Sequence, residues 1–510
     1  MLSRVISAAV IGIDGIIVEV EVDLSRGIPV FDIVGLPDTA VRESRERVRS
    51  AIKNSGYDFP IQRITINLAP GDIKKIGSHF DLPIAAGIMD ACGQFKSDIT
   101  NYLYVGELSL TGNLRGVKGV LPMALKARNH GLKGIIVPEE NYLEASLVDN
   151  IEVIPVRKLS DLMYFFNKGK ILSSVKKETA AVVEGDMSYS IDFSEVKGQQ
   201  EAKRAMKIAA AGSHNLLMIG PPGSGKTMLA KRLRTILPPL AEEEALELTK
   251  IYSIMGLLGS EEGLMKERPF RTPHHSISTS GLVGGGRIPE PGEISLAHYG
   301  TLFLDELPEF QRNVLEMLRQ PMEEGVVNIV RATMSASFPA QFMLIAAMNP
   351  CPCGYYGDDR HQCTCTGPQI NKYRAKVSGP LLDRIDIQIE VPALSVEEIT
   401  DKVNKGESSK YMRKEVIDIH QIQLERYKDE GFNFNSQLSG KKLQEFCQME
   451  DQGMYLLKNA IDKLGLSARA YDRILRLART IADMDKSDIL KSDHVAEAIQ
   501  YRSLDRKIDY

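Results

Sequence analysis

Several absences constrain this chain of 510 residues before any motif does. No apolar run is long enough to cross a bilayer. The one N-terminal candidate, MLSRVISAAVIGIDGIIVEVEVD, is broken by Asp14 and then by alternating Val and Glu before it could serve as a signal h-region. A cytoplasmic protein with no membrane partner is the expectation. Basic excess is missing too: 63 Lys and Arg stand against 67 Asp and Glu, a formal net charge of −4. That removes any global attraction to nucleic acid, so DNA binding would need basic groups concentrated locally or arrayed by assembly. Internal repeats and low-complexity tracts are absent. Cysteine is scarce, with six residues, and in a reducing compartment these are not expected to form structural disulfides.

The length is too great for one ordinary core and suggests roughly three domains. Residues 1–167 read as mixed α/β. IIVEVEV and RITINLAP alternate as strands do, and TAVRESRERVRSAIKNSG has helical spacing closed by Gly56. A polar, aperiodic stretch at 168–191 reads as a linker. A second α/β segment follows at 192–394, and 395–510, with long charged amphipathic patterns and very few glycines, reads as helical.

Within the second segment, NLLMIGPPGSGKTMLAKRL is an apolar strand, a glycine-rich loop and an amphipathic helix, the order a P-loop requires. Gly220, Gly223 and Gly225 allow backbone amides to wrap phosphates, and Pro221, Pro222, Ser224 and Met228 complete the candidate ATP-binding stretch. Lys226 is placed to reach the β/γ-phosphates and the Thr227 hydroxyl to hold Mg²⁺. Downstream, GTLFLDELPEF is an apolar strand ending in two carboxylates. Asp305 is expected in the Mg²⁺ shell and Glu306 as the group that polarises the attacking water. A third strand, FMLIAAMNP, ends in Asn349, which either opens the turn before Pro350 or orients that water as a sensor 1.

Two groups of arginines follow. In SGPLLDRIDIQIEVP, Arg384 is either half of a surface pair with Asp386 or an arginine finger offered to a neighbouring subunit's γ-phosphate. In LSARAYDRILRLARTIADM, Ser467 is a candidate N-cap, and Arg469, Arg473 and Arg476 share a face beside the stripe Ala470, Ile474, Leu477 and Ile481. That face is either solvated or carries a sensor 2 arginine, with Arg469 preferred over Arg473.

Four of the six cysteines fall in NPCPCGYYGDDRHQCTCTGPQ as two C-x-C pairs, Cys351/Cys353 and Cys363/Cys365. Nine intervening residues suit a tetrahedral four-thiolate site, for which Zn²⁺ is expected and an iron–sulfur cluster is the alternative. His361 is a spare ligand that four thiols make unnecessary.

Taken together, these motifs look like an AAA+ ATPase. RPFRTPHHSISTSGLVGGG, PGEISLAHYGTLFLDELPEF, NPCPCGYYGD and SGPLLDRIDI closely resemble the YifB/ComM family of magnesium-chelatase-like proteins over nearly the whole chain. The resemblance implies a Lon-protease-type α/β N-domain, a P-loop AAA+ αβα module and a C-terminal helical lid. It further implies a homo-hexameric, ATP-driven helicase that promotes branch migration of DNA in recombination or natural transformation. Residues 268–293 would be a helix-2 insert. EEGVVNIVRATMSASFPAQF would be a pore hairpin, whose single basic residue, Arg331, is the candidate DNA contact. Against the two halves of the Lon catalytic region, the nucleophile position falls on Ile84 and the lysine position on Leu121. Neither can activate a hydroxyl, and Ser78 and Lys118 lie at the wrong offsets, so the N-domain is expected to be non-proteolytic. The alternative function is a magnesium-chelatase-like motor that remodels a protein partner.

Overall fold

A computed structural model describes residues 1–170, 189–259, 263–331, 334–358, 360–395, 406–464 and 467–502. The expected linker at 168–191 lies largely outside them. Packing divides the chain into two compact units, Met1–Glu184 with Glu242–Met265, and Gly185–Ala241 with Lys266–Tyr510.

The first unit is built on a seven-stranded sheet of order β3-β4-β2-β1-β5-β8-β9. Its strands are β1 (Leu2–Ile11), β2 (Asp14–Ser25), β3 (Phe31–Val34), β4 (Arg63–Ala69), β5 (Tyr102–Tyr104), β8 (Gly134–Pro138) and β9 (Glu152–Val156). A short ladder of β6 (Glu107–Leu108) and β7 (Leu114–Arg115) accompanies it. The alternation seen in the sequence becomes a buried face: Val18, Val20 and Val22 of β2 are fully buried. Helix Thr39–Asn54 starts where Asp38 accepts the Val41 amide at 2.9 Å and buries Val41, Ser44, Val48, Ala51 and Ile52. Beyond its end Gly56 takes φ 81°, the left-handed geometry that closes helices.

These units are drawn differently from the segments read in the sequence: most of 192–394 shares the second unit with 395–510, and one stretch of it belongs to the first. Residues Glu242–Met265, which follow the P-loop helix, pack with the N-terminal unit. Helix Glu242–Met255 lies on helix Val120–Asn129. The buried Glu144 carboxylate accepts the Leu121 amide at 2.8 Å and the Ser253 hydroxyl, and the Gly119 amide donates to Ser253 O at 3.1 Å. An amphipathic pattern says that a helix docks, not on which body.

The second unit carries a parallel sheet of order β11-β14-β17-β10-β18, made of β10 (Leu216–Ile219), β11 (Phe270–Arg271), β14 (Thr301–Leu304), β17 (Met343–Met348) and β18 (Ile387–Glu390). β10, β14 and β17 are buried along their whole lengths, as continuous apolar runs covered on both faces must be. Two ribbons project from this core: β12 (Gly284–Gly285) with β13 (Glu290–Pro291), and β15 (Val326–Arg331) with β16 (Met334–Pro339). Helices Ser409–Tyr427, Gly440–Phe446, Asp451–Leu464, Ala468–Met484 and Ser492–Gln500 follow. Ser467 caps the fourth, accepting the Ala470 amide at 3.2 Å, and its stripe of Ala470, Ile474, Leu477 and Ile481 is buried. No described helix is long and apolar enough to cross a membrane.

A buried carboxylate ties the C-terminal helices to the sheet. Asp386, at the entry to β18, accepts Arg473 Nη1 at 2.7 Å and the Asn215 amide at 3.0 Å, with His214 Nδ1 at 3.6 Å. Burial alone would raise its pKa, but Arg473, His214 and Arg476 more than offset this and hold it well below the usual carboxylate range. Asp386→Asn leaves a nearly buried Arg473 without a counter-ion and should cost about 3–5 kcal/mol in urea unfolding. A depressed folded pKa contributes stability above the unfolded value near 4 and loses it as pH falls through the folded value. The variant's stability should therefore depend less on pH below about 4 than the parent's.

Candidate functional site

The register of the parallel sheet brings the candidate phosphate-site residues to one edge. Ile219 pairs with Met348 on one side and Glu390 on the other, and Gly220, the next residue, donates its amide to Met348 O at 3.2 Å. A Cβ at position 220 would sit 2.1 Å from the Val391 carbonyl oxygen, so only glycine fits. Gly223 (φ 77°) and Gly225 (φ 92°) turn the loop into helix Lys226–Leu233, which Gly225 caps.

Lys226 is nearly buried. Its ammonium donates to Gly220 O at 2.7 Å and Pro221 O at 2.9 Å, and lies 3.3 Å from Asn349 Oδ1 and 3.4 Å from Ser224 Oγ. Burial draws its pKa down and Asp305 opposes the shift. The Thr227 hydroxyl donates to Asp305 Oδ2 at 2.7 Å. Four of the residues singled out in the sequence, Lys226, Thr227, Asp305 and Asn349, are thus joined directly or through one another across 123 residues of chain. Glu306 is exposed, adopts the left-handed φ of 52° and donates its amide to Asp305 Oδ1 at 3.0 Å. Its carboxylate lies 3.5 Å from His275 Nδ1, a partner the sequence reading missed because only the His-rich composition of 268–293 was visible. The arrangement offers amides and an ammonium for polyphosphate, a hydroxyl–carboxylate pair for a hard divalent cation, and an exposed carboxylate beside them.

The four clustered cysteines converge. Sγ–Sγ distances are 3.3 Å for Cys351–Cys353, 3.8 Å for Cys351–Cys363 and 3.6 Å for Cys353–Cys363, and all four sulfurs lie within 4.8 Å of one another. Tetrahedral coordination at the usual zinc–sulfur bond length requires about 3.8 Å between sulfurs. Backbone N–H groups of Tyr355 and Thr364 hold the Cys353 thiol down to about 5. The Cys353 amide favours the Cys365 thiolate, but burial and the neighbouring thiols push Cys365 up to about 12. Such a group accepts one negative charge readily and further ones only with a cation among them, so the donor set fits a metal.

Next to this cluster, Gly354 (φ 91°) presses on the P-loop: a Cβ there would lie 2.6 Å from Pro222 Cδ. The sulfur knot and the phosphate loop are therefore in van der Waals contact through a glycine and a proline.

The arginines lie elsewhere in the same unit. Arg384 is almost fully buried, donating to Pro380 O at 2.6 Å and to the Glu323 carboxylate, and the surface pair with Asp386, one of its two candidate roles, is not formed. Asp386 takes Arg473 instead. Arg384, Arg469, Arg473 and Arg476 line one cavity of about 440 Å³, in which Arg469 alone of the four is exposed. Glu323 was not legible as a partner, since it sits 61 residues before Arg384 in an ordinary acidic pair.

Arg331 is exposed at the tip of the β15–β16 hairpin, with Nε 3.3 Å from Gly286 O. It borders an open groove with Ser278, Ser280, Asn328 and Val330. In the first unit, Ile84 and Leu121 are fully buried, and the Ser78 hydroxyl donates to Glu107. No serine–lysine pair forms at those positions.

Comparisons with known proteins show which families and relatives the chain is similar to. The family described as magnesium chelatase, subunit ChlI, matches residues 192–399, its C-terminal family matches 406–502, and subunit ChlI of Mg-chelatase matches 20–141. The chain is 45% identical over 512 aligned residues to competence protein ComM of Haemophilus influenzae, covering 99% of this chain and 98% of that protein. It is 44% identical to YifB of Escherichia coli with the same coverage. Lon protease 2 of Bacillus subtilis is 33% identical over 24% of this chain and 22% of its own.

Gly354→Ala should push on Pro222 and strain a left-handed backbone, at a cost of about 1–2 kcal/mol. Nucleotide should then bind roughly tenfold more weakly by titration calorimetry, with an unchanged circular dichroism spectrum.

Proposed function

The chain belongs to the YifB/ComM family of magnesium-chelatase-like AAA+ proteins, and from that premise we propose that it is an ATP-hydrolysing ring motor that moves branched DNA. The observation that carries this reading is the division of the charged groups. Lys226, Thr227, Asp305 and Asn349 gather at the phosphate loop, whereas Arg384 makes its hydrogen bonds to Pro380 and Glu323. A loop with a lysine, a hydroxyl and carboxylates binds a nucleotide but lacks the cationic group that neutralises charge in phosphoryl transfer. A second copy presenting Arg384 and Arg469 would supply it, so the site is complete only between subunits, as in a homo-hexameric ring. The exposure of Arg469 and the engagement of Arg473 by Asp386 favour Arg469 as the second arginine.

In this reading the loop from Gly220 to Met228 holds ATP and Lys226 shifts from loop carbonyls to the β/γ-phosphates. Thr227 and Asp305 hold Mg²⁺, which supplies charge neutralisation when bound. Asn349 orients a water that Glu306 polarises. Cys351, Cys353, Cys363 and Cys365 hold a structural Zn²⁺ that fixes the turn against Pro222. DNA passes along the groove beside Arg331, where Ser278 and Ser280 offer hydroxyls to phosphates. The process served is recombination or natural transformation in the cytoplasm, in keeping with the name of the competence relative. A second reading, a motor that remodels a protein partner as magnesium chelatases suggest, is favoured by the single basic residue of the hairpin.

The test is ATP-dependent strand displacement on three-stranded branched DNA. Lys226→Ala should abolish hydrolysis and displacement together, and Arg331→Ala should lose displacement while still hydrolysing ATP. An active ATPase that neither displaces strands nor responds to DNA would shift the assignment to a protein-remodelling motor. For the sulfur cluster, Cys351→Ser with Cys353→Ser should lose about one equivalent of zinc per chain by elemental analysis. An unchanged zinc content would remove the four-thiol site.

A further inference from the structure

The cavity that holds the arginines is also the root of the hairpin. Helix Arg319–Glu324 ends at Gly325 (φ 66°), and β15 starts at the next residue. The other leg returns beside it, with the Ala340 amide donating to Gly325 O at 2.7 Å. Glu323, Gly325, Ala340 and Gln341 all line the cavity, opposite Arg384 and Arg469. The base of the hairpin and the arginines of the proposed trans site therefore share one wall-to-wall space.

Within it, Glu323 is the link. Its carboxylate binds the buried Arg384 guanidinium while remaining 46% exposed itself. Arg384, and after it Arg469 and Arg473, hold its pKa below the ordinary glutamate value. The arginines are under-satisfied: the Nε atoms of Arg384, Arg473 and Arg476 are buried without hydrogen-bond partners. A buried guanidinium with spare donors, held by one half-exposed carboxylate, is poised to exchange that carboxylate for a stronger anion.

We propose that Glu323 is a positioning residue that couples nucleotide occupancy in the neighbouring subunit to the hairpin: it occupies Arg384 until a neighbour's phosphoryl group displaces it, and its release frees the root of β15. The inference rests on the trans-arginine reading above. It gives the hairpin a mechanical input only three residues before its first strand, and it makes hydrolysis and hairpin position mutually dependent, since whatever holds Glu323 on Arg384 also withholds Arg384 from the phosphate.

The chain contains no tryptophan, so Val330→Trp at the exposed hairpin tip places a single fluorophore where movement would be read. In the full-length assembled chain, its emission should shift on addition of a non-hydrolysable ATP analogue. Glu323→Gln, which removes the charge and little volume, should lose that shift and bring the ratio of DNA-stimulated to basal hydrolysis towards one. Glu323→Asp should restore the shift in part, and Glu324→Gln, whose side chain meets Gln320, should leave it intact. A shift of parental size in the Glu323→Gln chain, or none in the Val330→Trp parent, would overturn the coupling. The underlying reading fails separately: Arg384→Ala that hydrolyses ATP at the parental rate removes the trans arginine, whatever the Glu323 variants do.

Discussion

The register of the five-stranded parallel sheet is the constraint from which the functional geometry follows. β17 lies between β10 and β14, pairing Ile219 with Met348 and Leu304 with Ala346. The residues just past those strand ends are Gly220, Asn349 and Asp305, three groups far apart in sequence that reach one rim together. Parallel strands must be connected by crossovers, so residues at their C-terminal ends come from separate segments yet share a crevice. A slip of one residue in β17 would turn its side chains to the opposite face and move Asn349 away from Lys226. Because β17 is packed on both faces, such a slip would also force every one of its side chains to repack.

Around this rim the structure manages charge by pairing each buried ion with a specific partner. Lys226 rests on two loop carbonyls, Arg473 on Asp386, Arg384 on Glu323, and Arg426 and Arg479 on Asp483. Burying an ion without a partner costs several kcal/mol, roughly half the stability of a typical domain, so few alternative arrangements are accessible. The exceptions are informative. Asp386 is enclosed and Glu323 is half exposed, so the first behaves as a fixed clamp between sheet and helices while the second binds its arginine reversibly. The sulfur cluster adds a second kind of restraint. It gathers four sulfurs beside a turn in which Gly354 meets the Pro222 ring, and that contact tolerates no added atom.

Legibility in the sequence followed the range of the interaction. The strand–loop–helix of the P-loop, the cap at Ser467, the stripe from Ala470 to Ile481 and the two C-x-C pairs are local patterns, each complete within a short stretch. The alternating strands β2 and β4 were legible for the same reason. What escaped was partner choice across long separations. A pair with its near neighbour Asp386 was one of two roles that the sequence left open for Arg384; the fold gives each a different partner, Glu323 and Arg473. His275 beside Glu306 and Gly354 beside Pro222 depend on how loops return to the sheet, which periodicity does not encode. The docking of Glu242–Met265 on the first unit is the same failure at the scale of a helix.

That docking also constrains the residue at position 121 of the first unit. Leu121, at the position that corresponds by resemblance to a catalytic lysine, belongs to a buried cluster against which Leu246 of helix Glu242–Met255 packs. Its amide is held by Glu144, which also accepts the Ser253 hydroxyl of the same helix. Burial already raises the pKa of Glu144, with Ser253, Leu121 and Asn141 opposing the shift through hydrogen bonds. A lysine ammonium placed among these apolar groups would be desolvated or would have to draw Glu144 away from Ser253 and the Leu121 amide. Either outcome weakens the seat of the helix that leads on from the phosphate loop. An apolar residue at 121 therefore suits this docking, in which Leu246 packs against the cluster and Glu144 is kept for Ser253 and the Leu121 amide.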